Sequence, residues 1–167
     1  MRVYVPATVS MLQDLVDKRE LHAVGGTAFA LTPALREAYA SGDDEELAEA
    51  AMAEAARASL RLLADEVHSS TAPMYRRAVI AVDVTGATLR PDLDDAVVKL
   101  DGPIEFKRVG SVHMDLAEAE SAVAKAVDII DAADLGDEDA EFVLGDAEDH
   151  QLAWYATQEL PFLLELL

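Results

Sequence analysis

Between residues 43 and 67 the hydrophobic positions recur at helical spacing. Leu47, Ala51, Ala55, Ala58 and Leu62 form one ridge, Met52, Ala56, Leu60, Leu63 and Val67 a second, and Glu49, Glu54, Arg57, Arg61 and Asp65 a polar stripe. Eight alanines in this stretch supply helix propensity, and Asp43, Asp44, Glu45 and Glu46 stand where the positive end of a helix favours carboxylates. A helix so widely apolar needs cover on two sides, and its small alanines admit a close neighbour. The pattern therefore predicts a long alanine-rich helix at the centre of the fold.

The rest of the chain arranges itself on either side. Val3 and Val5 alternate with Arg2 and Tyr4 in a short strand that Pro6 is expected to end. Thr8 caps an amphipathic helix to about Leu21, carried by Val9, Leu12, Leu15 and Val16. Gly25 and Gly26 make a turn into an apolar strand over 27–31, so the first unit reads as βαβ. Pro33 opens a short helix through Tyr39. After a loop over 69–73, residues 76–84 are apolar on both faces and predict a central strand.

Residues 85–95 read as a polar connection, and 96–100 with 104–107 as a hairpin around Asp101, Gly102 and Pro103. Residues 109–114 suit a further strand. Asp115 and Glu118 resemble a capping box for a helix over 116–133 whose buried stripe is Ala119, Val123, Val127 and Ile130. The acidic, glycine-punctuated stretch 134–149 reads as mostly loop. Residues 150–159 alternate like a strand, with Trp154 expected in the core and Tyr155 on the opposite face, and the apolar tail from Pro161 is expected to dock. Strands flanking two helical blocks predict one α+β domain over residues 1–167, a mixed or antiparallel sheet with helices packed on it.

Charge sharpens this picture. The net charge is −20, and residues 126–167 contain twelve carboxylates and no Lys or Arg, so this acidic C-terminal quarter carries more than half of it. Such a field repels phosphate backbones, which argues against nucleic acid as a partner and favours cations or a basic protein surface. The absence of cysteine removes disulfides, thiolate metal sites and thiol nucleophiles. No apolar run reaches the roughly 18 residues of a membrane span and residues 1–9 lack an apolar signal core, so the chain reads as cytoplasmic, without a membrane partner.

The stretches MRVYVPATVSMLQDLV, GTAFALTPALREAYASGDDEEL, AARASLRLL and DHQLAWYATQELPFLL together resemble a family of uncharacterised actinobacterial proteins over nearly the whole chain. The resemblance implies an intracellular bacterial protein of similar length. None of these stretches is a catalytic motif, so it transfers no functional residue.

Three constellations are candidates for chemistry. Ser111, His113 and Asp115 alternate and would share one strand face, but parallel side chains about 6.6–7 Å apart do not converge as a nucleophile, base and orienter must. Asp149 and His150, with Glu148 and Asp146 nearby, offer oxygen and nitrogen ligands to a divalent cation, and a site there would need carboxylates from elsewhere such as Asp92, Asp94 and Asp95. Arg57, Arg61, Arg76 and Arg77 could hold a small anion, against helix ion pairs Glu54–Arg57 and Arg61–Asp65.

His113, His150 and Asp149 are thus the catalytic candidates, and Asp149 and His150 the metal candidates. No motif calls for a cofactor. No phosphate loop, nucleophile elbow or zinc spacing is present, so the sequence points to a non-catalytic binding or interaction module. The sequence does not identify its partner, although a homodimer fits; a separate reading has the acidic C-terminal quarter engaging a basic protein or mimicking the charge of nucleic acid. A small-molecule hydrolase or metal-dependent enzyme using His and carboxylates is the alternative.

Overall fold

Strand β1 (Arg2–Ala7) leads into helix α1 (Val9–Lys18), capped by the Thr8 hydroxyl accepting from the Met11 amide. In the computed structural model, which describes residues 1–69 and 72–167, there follow β2 (Glu20–Leu21), β3 (Thr27–Phe29), α2 (Pro33–Ala38) and α3 (Asp44–His68). Next come β4 (Ala78–Asp83), β5 (Ala87–Leu89), β6 (Val97–Leu100), β7 (Ile104–Glu105) and β8 (Val109–Met114). Helices α4 (Glu120–Asp134) and α5 (Glu138–Glu148), strand β9 (Ala153–Ala156) and α6 (Leu160–Glu165) complete the chain.

Seven strands form one sheet in the order β5-β6-β3-β1-β4-β8-β9, every neighbouring pair antiparallel, while β2 and β7 pair separately. The fold is therefore α+β. Strand β4 lies between β1 and β8 with its first five residues fully buried, as its apolar run requires.

Register assigns the two faces. Val5, Ile80, Val112 and Tyr155 lie in one row across β1, β4, β8 and β9, and this face packs on Leu12 and Leu15 of α1 and Leu160 of α6. The tail docks as expected. On the other face Phe29, Val79 and Val97 meet Ala51, Ala55, Ala56 and Ala58 of α3. Alanines at this contact bring the helix close enough for Ser59, fully buried, to donate to the Ala7 carbonyl at 2.7 Å and accept from the Ala78 amide at 3.1 Å. The far side of α3 packs Leu60 and Leu63 against Val123, Val127 and Ile130 of α4 and Leu144 of α5. Helix α3 is thus covered on two sides, and Asp43 caps its start by accepting from the Glu46 amide.

Several local expectations are corrected. The first unit is not a parallel βαβ: β3 runs antiparallel beside β1, because β2 and the turn at Gly25 (φ 64) and Gly26 (φ 70) reverse the chain once more. Strand β1 continues through Pro6 to Ala7. Its ladder to β3 reaches only Tyr4 opposite Phe29, so on that side no partner needs the N–H that proline lacks. The hairpin lies elsewhere: β6 pairs with β5, from within the supposed polar connection, and with β3, so β7 turns away to β2.

The stretch read as loop contains α5. Asp137 caps it by accepting from the Ala140 amide, and Ala140, Leu144 and Ala147 give it a buried stripe that the density of acid had masked. The loop expected over 69–73 includes residues 70 and 71, which lie outside the described residues.

Candidate functional site

Helix α3 covers only part of its sheet face. Beyond it the row Pro6, Val79, His113 and Trp154 runs across β1, β4, β8 and β9, passing from full burial at Val79 through a half-buried His113 to Trp154, 61% exposed. Trp154, expected in the core, is exposed, and Tyr155 packs instead on the core of the α1 and α6 side. The reason is tertiary. Alternation along the strand puts the two aromatics on opposite faces, and only the position of the helices decides which face is covered.

His113 Nε2 lies 3.0 Å from Ser111 Oγ, so the ring leans along the strand and closes a gap that parallel side chains would leave open. Two of the three triad candidates therefore meet. Ser111 is only 5% exposed, however, and burial, with a smaller contribution from the Arg2 charge, holds His113 below the ordinary imidazole range. A neutral imidazole hydrogen-bonded to a buried hydroxyl satisfies both groups without a substrate.

Asp115 neither orients this histidine nor caps a helix. Helix α4 begins without a side-chain cap, after a turn at Ala117–Ala119, and the Asp115 carboxylate is fully buried on Arg77. Arg77 donates from Nε to Oδ2 at 2.9 Å and from Nη2 to Oδ1 at 2.8 Å, and its backbone amide donates to Oδ2 at 2.8 Å. The same Nη2 reaches the His150 carbonyl at 2.8 Å, which ties the entry of β9 to β4 and β8.

Beside this clamp a groove of about 330 Å³ runs between α3 and the segment leading into β9. Met52, Ala56, Leu60 and Leu152 give it apolar walls, and Glu49, Glu148, Arg57, Arg77 and His150 line it with polar groups. His150 is half-buried at its rim, while Asp149 is exposed and ends α5. Among the described residues no three His, Asp or Glu side chains come together as metal ligands. Asp92 is paired with Arg90 at 2.8 Å, and Asp94 accepts from the Asp95 amide at 2.7 Å.

The converging arginines hold a carboxylate of the chain itself. Arg61 Nε donates to Asp134 Oδ2 at 2.7 Å, Arg57 Nε to Oδ1 at 3.1 Å, and Arg57 Nη2 to Glu141 Oε1 at 3.0 Å. These bonds join α3 to α4 and α5 and replace the intrahelical pairs expected with Glu54 and Asp65. Hydrogen bonds and charge from Arg61 and then Arg57 keep Asp134 below the usual carboxylate range. Glu54, which has no hydrogen-bond or ion-pair partner among the described residues, is pushed upward by burial and then by Asp94 and Glu148, against the charges of Arg57 and Arg61.

Sequence reasoning missed the Arg77–Asp115 clamp and the buried Ser59. A strand-entry arginine facing a strand-exit aspartate was visible in sequence, but only the β4–β8 register makes them neighbours. No curated protein and no solved structure matches the chain. The near full-length resemblance to an uncharacterised family is matched by a family model: over residues 1–164 the chain belongs to DUF6912, a family of unknown function.

Proposed function

We propose that this protein is a cytoplasmic, non-catalytic interaction module that engages another protein through the half-covered sheet face of β8 and β9. The observation that carries the reading is Trp154, held 61% exposed on a regular strand next to a half-buried histidine. A large aromatic on a rigid strand loses little freedom on docking and supplies the area from which interface hot spots are made. The surrounding charge selects the partner: twelve carboxylates and no cation after Lys125 favour a basic surface and disfavour nucleic acid.

Formaldehyde crosslinking in the native cell, followed by capture of the full chain, tests the reading. Trp154→Ser should lose a partner that Phe162→Ser, altering another exposed aromatic, retains. The same crosslinked species with both variants would overturn it.

A second reading, a small-molecule hydrolase acting through His113, is favoured by the 3.0 Å contact with Ser111. It requires Ser111 to become accessible. Labelling by a fluorophosphonate probe that is lost in both Ser111→Ala and His113→Gln would support it, and no labelling of the folded protein would end it.

A further inference from the structure

Resting on the binding reading above, we infer that the free edge of β9 takes up an extended, basic segment of another protein as an added strand, with Trp154 as its apolar anchor and the groove beside α3 receiving its cationic side chains.

The backbone supplies the edge. The Asp115 amide donates to the Arg77 carbonyl, so Ser111, His113 and Asp115 turn their backbone groups to β4, and Val112 and Met114 turn theirs to β9. Their partners Tyr155 and Ala153 face back toward β8, which leaves the N–H and C=O of Trp154 and Ala156 pointing outward. Strand β9 closes the sheet order, so nothing in the sheet pairs with them. The Ala156 amide is occupied by the exposed Glu159 carboxylate at 3.2 Å, a local guard of the kind that keeps edges from pairing indiscriminately. Among the described residues the outward groups of Trp154 have no such guard.

Charge chooses the occupant. Both arginines of the groove are neutralised from within, Arg77 by Asp115 and Arg57 by Asp134 and Glu141, which leaves the exposed Glu49 and Glu148 facing the opening. Leu152, two residues before Trp154 and packed with Val79 on the α3 side of the sheet, lines this groove, so the anchor and the acidic groove lie on the same side of the sheet. A second copy of the chain would bring another net −20 and the same acidic rim against this edge. An extended segment with Lys or Arg beside apolar residues fits where a second copy is repelled: its backbone pairs with the outward groups of Trp154 and takes the Ala156 amide in place of the Glu159 carboxylate, its apolar residue stacks on the indole, and its cationic stems lie along Met52 and Leu152.

The test uses the full chain and a displayed library of random short peptides. Recovered peptides lacking tryptophan are synthesised and titrated, and the emission of Trp154, the sole tryptophan, reports on the proposed surface directly. Two variants separate strand addition from other binding. Trp154→Ala removes the anchor and with it the emission, so its affinity is read from the anisotropy of a fluorescein-labelled peptide, as is that of the parent for comparison. Ala156→Pro removes an outward donor at a residue whose φ of −66 already suits proline, so the ladder to β8 and the melting temperature should be retained.

The expected result is a set of basic peptides that shift the tryptophan emission to the blue, weaken steeply with salt, and lose about tenfold or more in affinity with either variant. Peptides that bind both variants as well as the parent would overturn strand addition at β9 and leave the interaction module standing. Recovery of only acidic or uncharged peptides, of no peptide at all, or of a Trp154-dependent dimer by sedimentation would overturn the basic segment as occupant. The module itself falls only if the crosslinking experiment also shows no dependence on Trp154.

Discussion

Arg77, 4% exposed, grips Asp115, 0% exposed, through both carboxylate oxygens, and with its remaining reach holds the carbonyl of His150. Two charged groups removed from water to this degree compensate each other, and the carboxylate accepts from the Arg77 amide as well as from its guanidinium. The clamp fixes the end of the β4–β8 ladder and the point where the chain enters β9, so the geometry of the exposed Trp154 depends on it.

Removing one partner of this pair leaves the other charge buried and uncompensated. Asp115→Ala should destabilise the fold by about 3–5 kcal/mol. Urea unfolding monitored by far-UV circular dichroism measures it. A loss of less than about 1 kcal/mol, the range of a surface pair, would mean that the pair opens to water in solution.

The Asp134 carboxyl titrates below its unfolded value because Arg61 and Arg57 bind the ionised form. Its contribution is therefore present above the unfolded carboxylate pKa and is lost as pH falls through the folded one. Asp134→Asn should lower the melting temperature at neutral pH, by the equivalent of about 1 kcal/mol for a partly exposed network, and the gap to the parent should close in acid. Parallel melting curves across that range decide the matter; a constant gap would assign the effect to packing.

Glu54 behaves oppositely. Burial, Asp94 and Glu148 raise its pKa above the unfolded value, so ionising it costs folded-state stability as pH rises through that interval. Glu54→Gln should raise the melting temperature at neutral pH and leave it unchanged in acid, where the parent carboxyl is already neutral. A lower melting temperature at neutral pH would show that Glu54 has a stabilising partner in solution.

Burial lowers the pKa of His113, so the folded state resists its protonation. The stability this represents is intact above the unfolded imidazole pKa, about 6.5, and drains away as pH falls through the folded value. His113→Gln should flatten the stability profile in that interval. NMR titration of the His113 imidazole gives an independent check, and an upward shift would contradict the burial assigned to it.

Helix α3 was legible in sequence nearly to its ends, because propensity, first-turn acid and a two-ridged apolar pattern all favour one local structure from residue 43 to 67. Strand β4 was legible for the same reason, being apolar on both faces, and so was the family, whose stretches span the chain. Helix α5 was not: its buried stripe is three small or medium residues set among carboxylates and glycines, and α4 with Leu60 and Leu63 of α3 supplies the cover that makes it a helix. The partners of Arg57 and Arg61 were hidden because local spacing offered Glu54 and Asp65, whereas packing brought Asp134 between both guanidiniums.

Composition and periodicity act on neighbours a few residues apart, and so the sequence by itself determined the α+β class, the central helix and strand, and the acidic character of the last quarter. Which of Trp154 and Tyr155 meets solvent is a different kind of question. Alternation placed them on opposite faces, and the choice between the faces came from where α1 and α6 pack and where α3 stops. The tertiary structure alone decided that Asp115 belongs to Arg77 and that β9 ends the sheet, because both depend on a register between strands far apart in the chain, whereas Ser111 reaches His113 through the lean of one ring along a single strand.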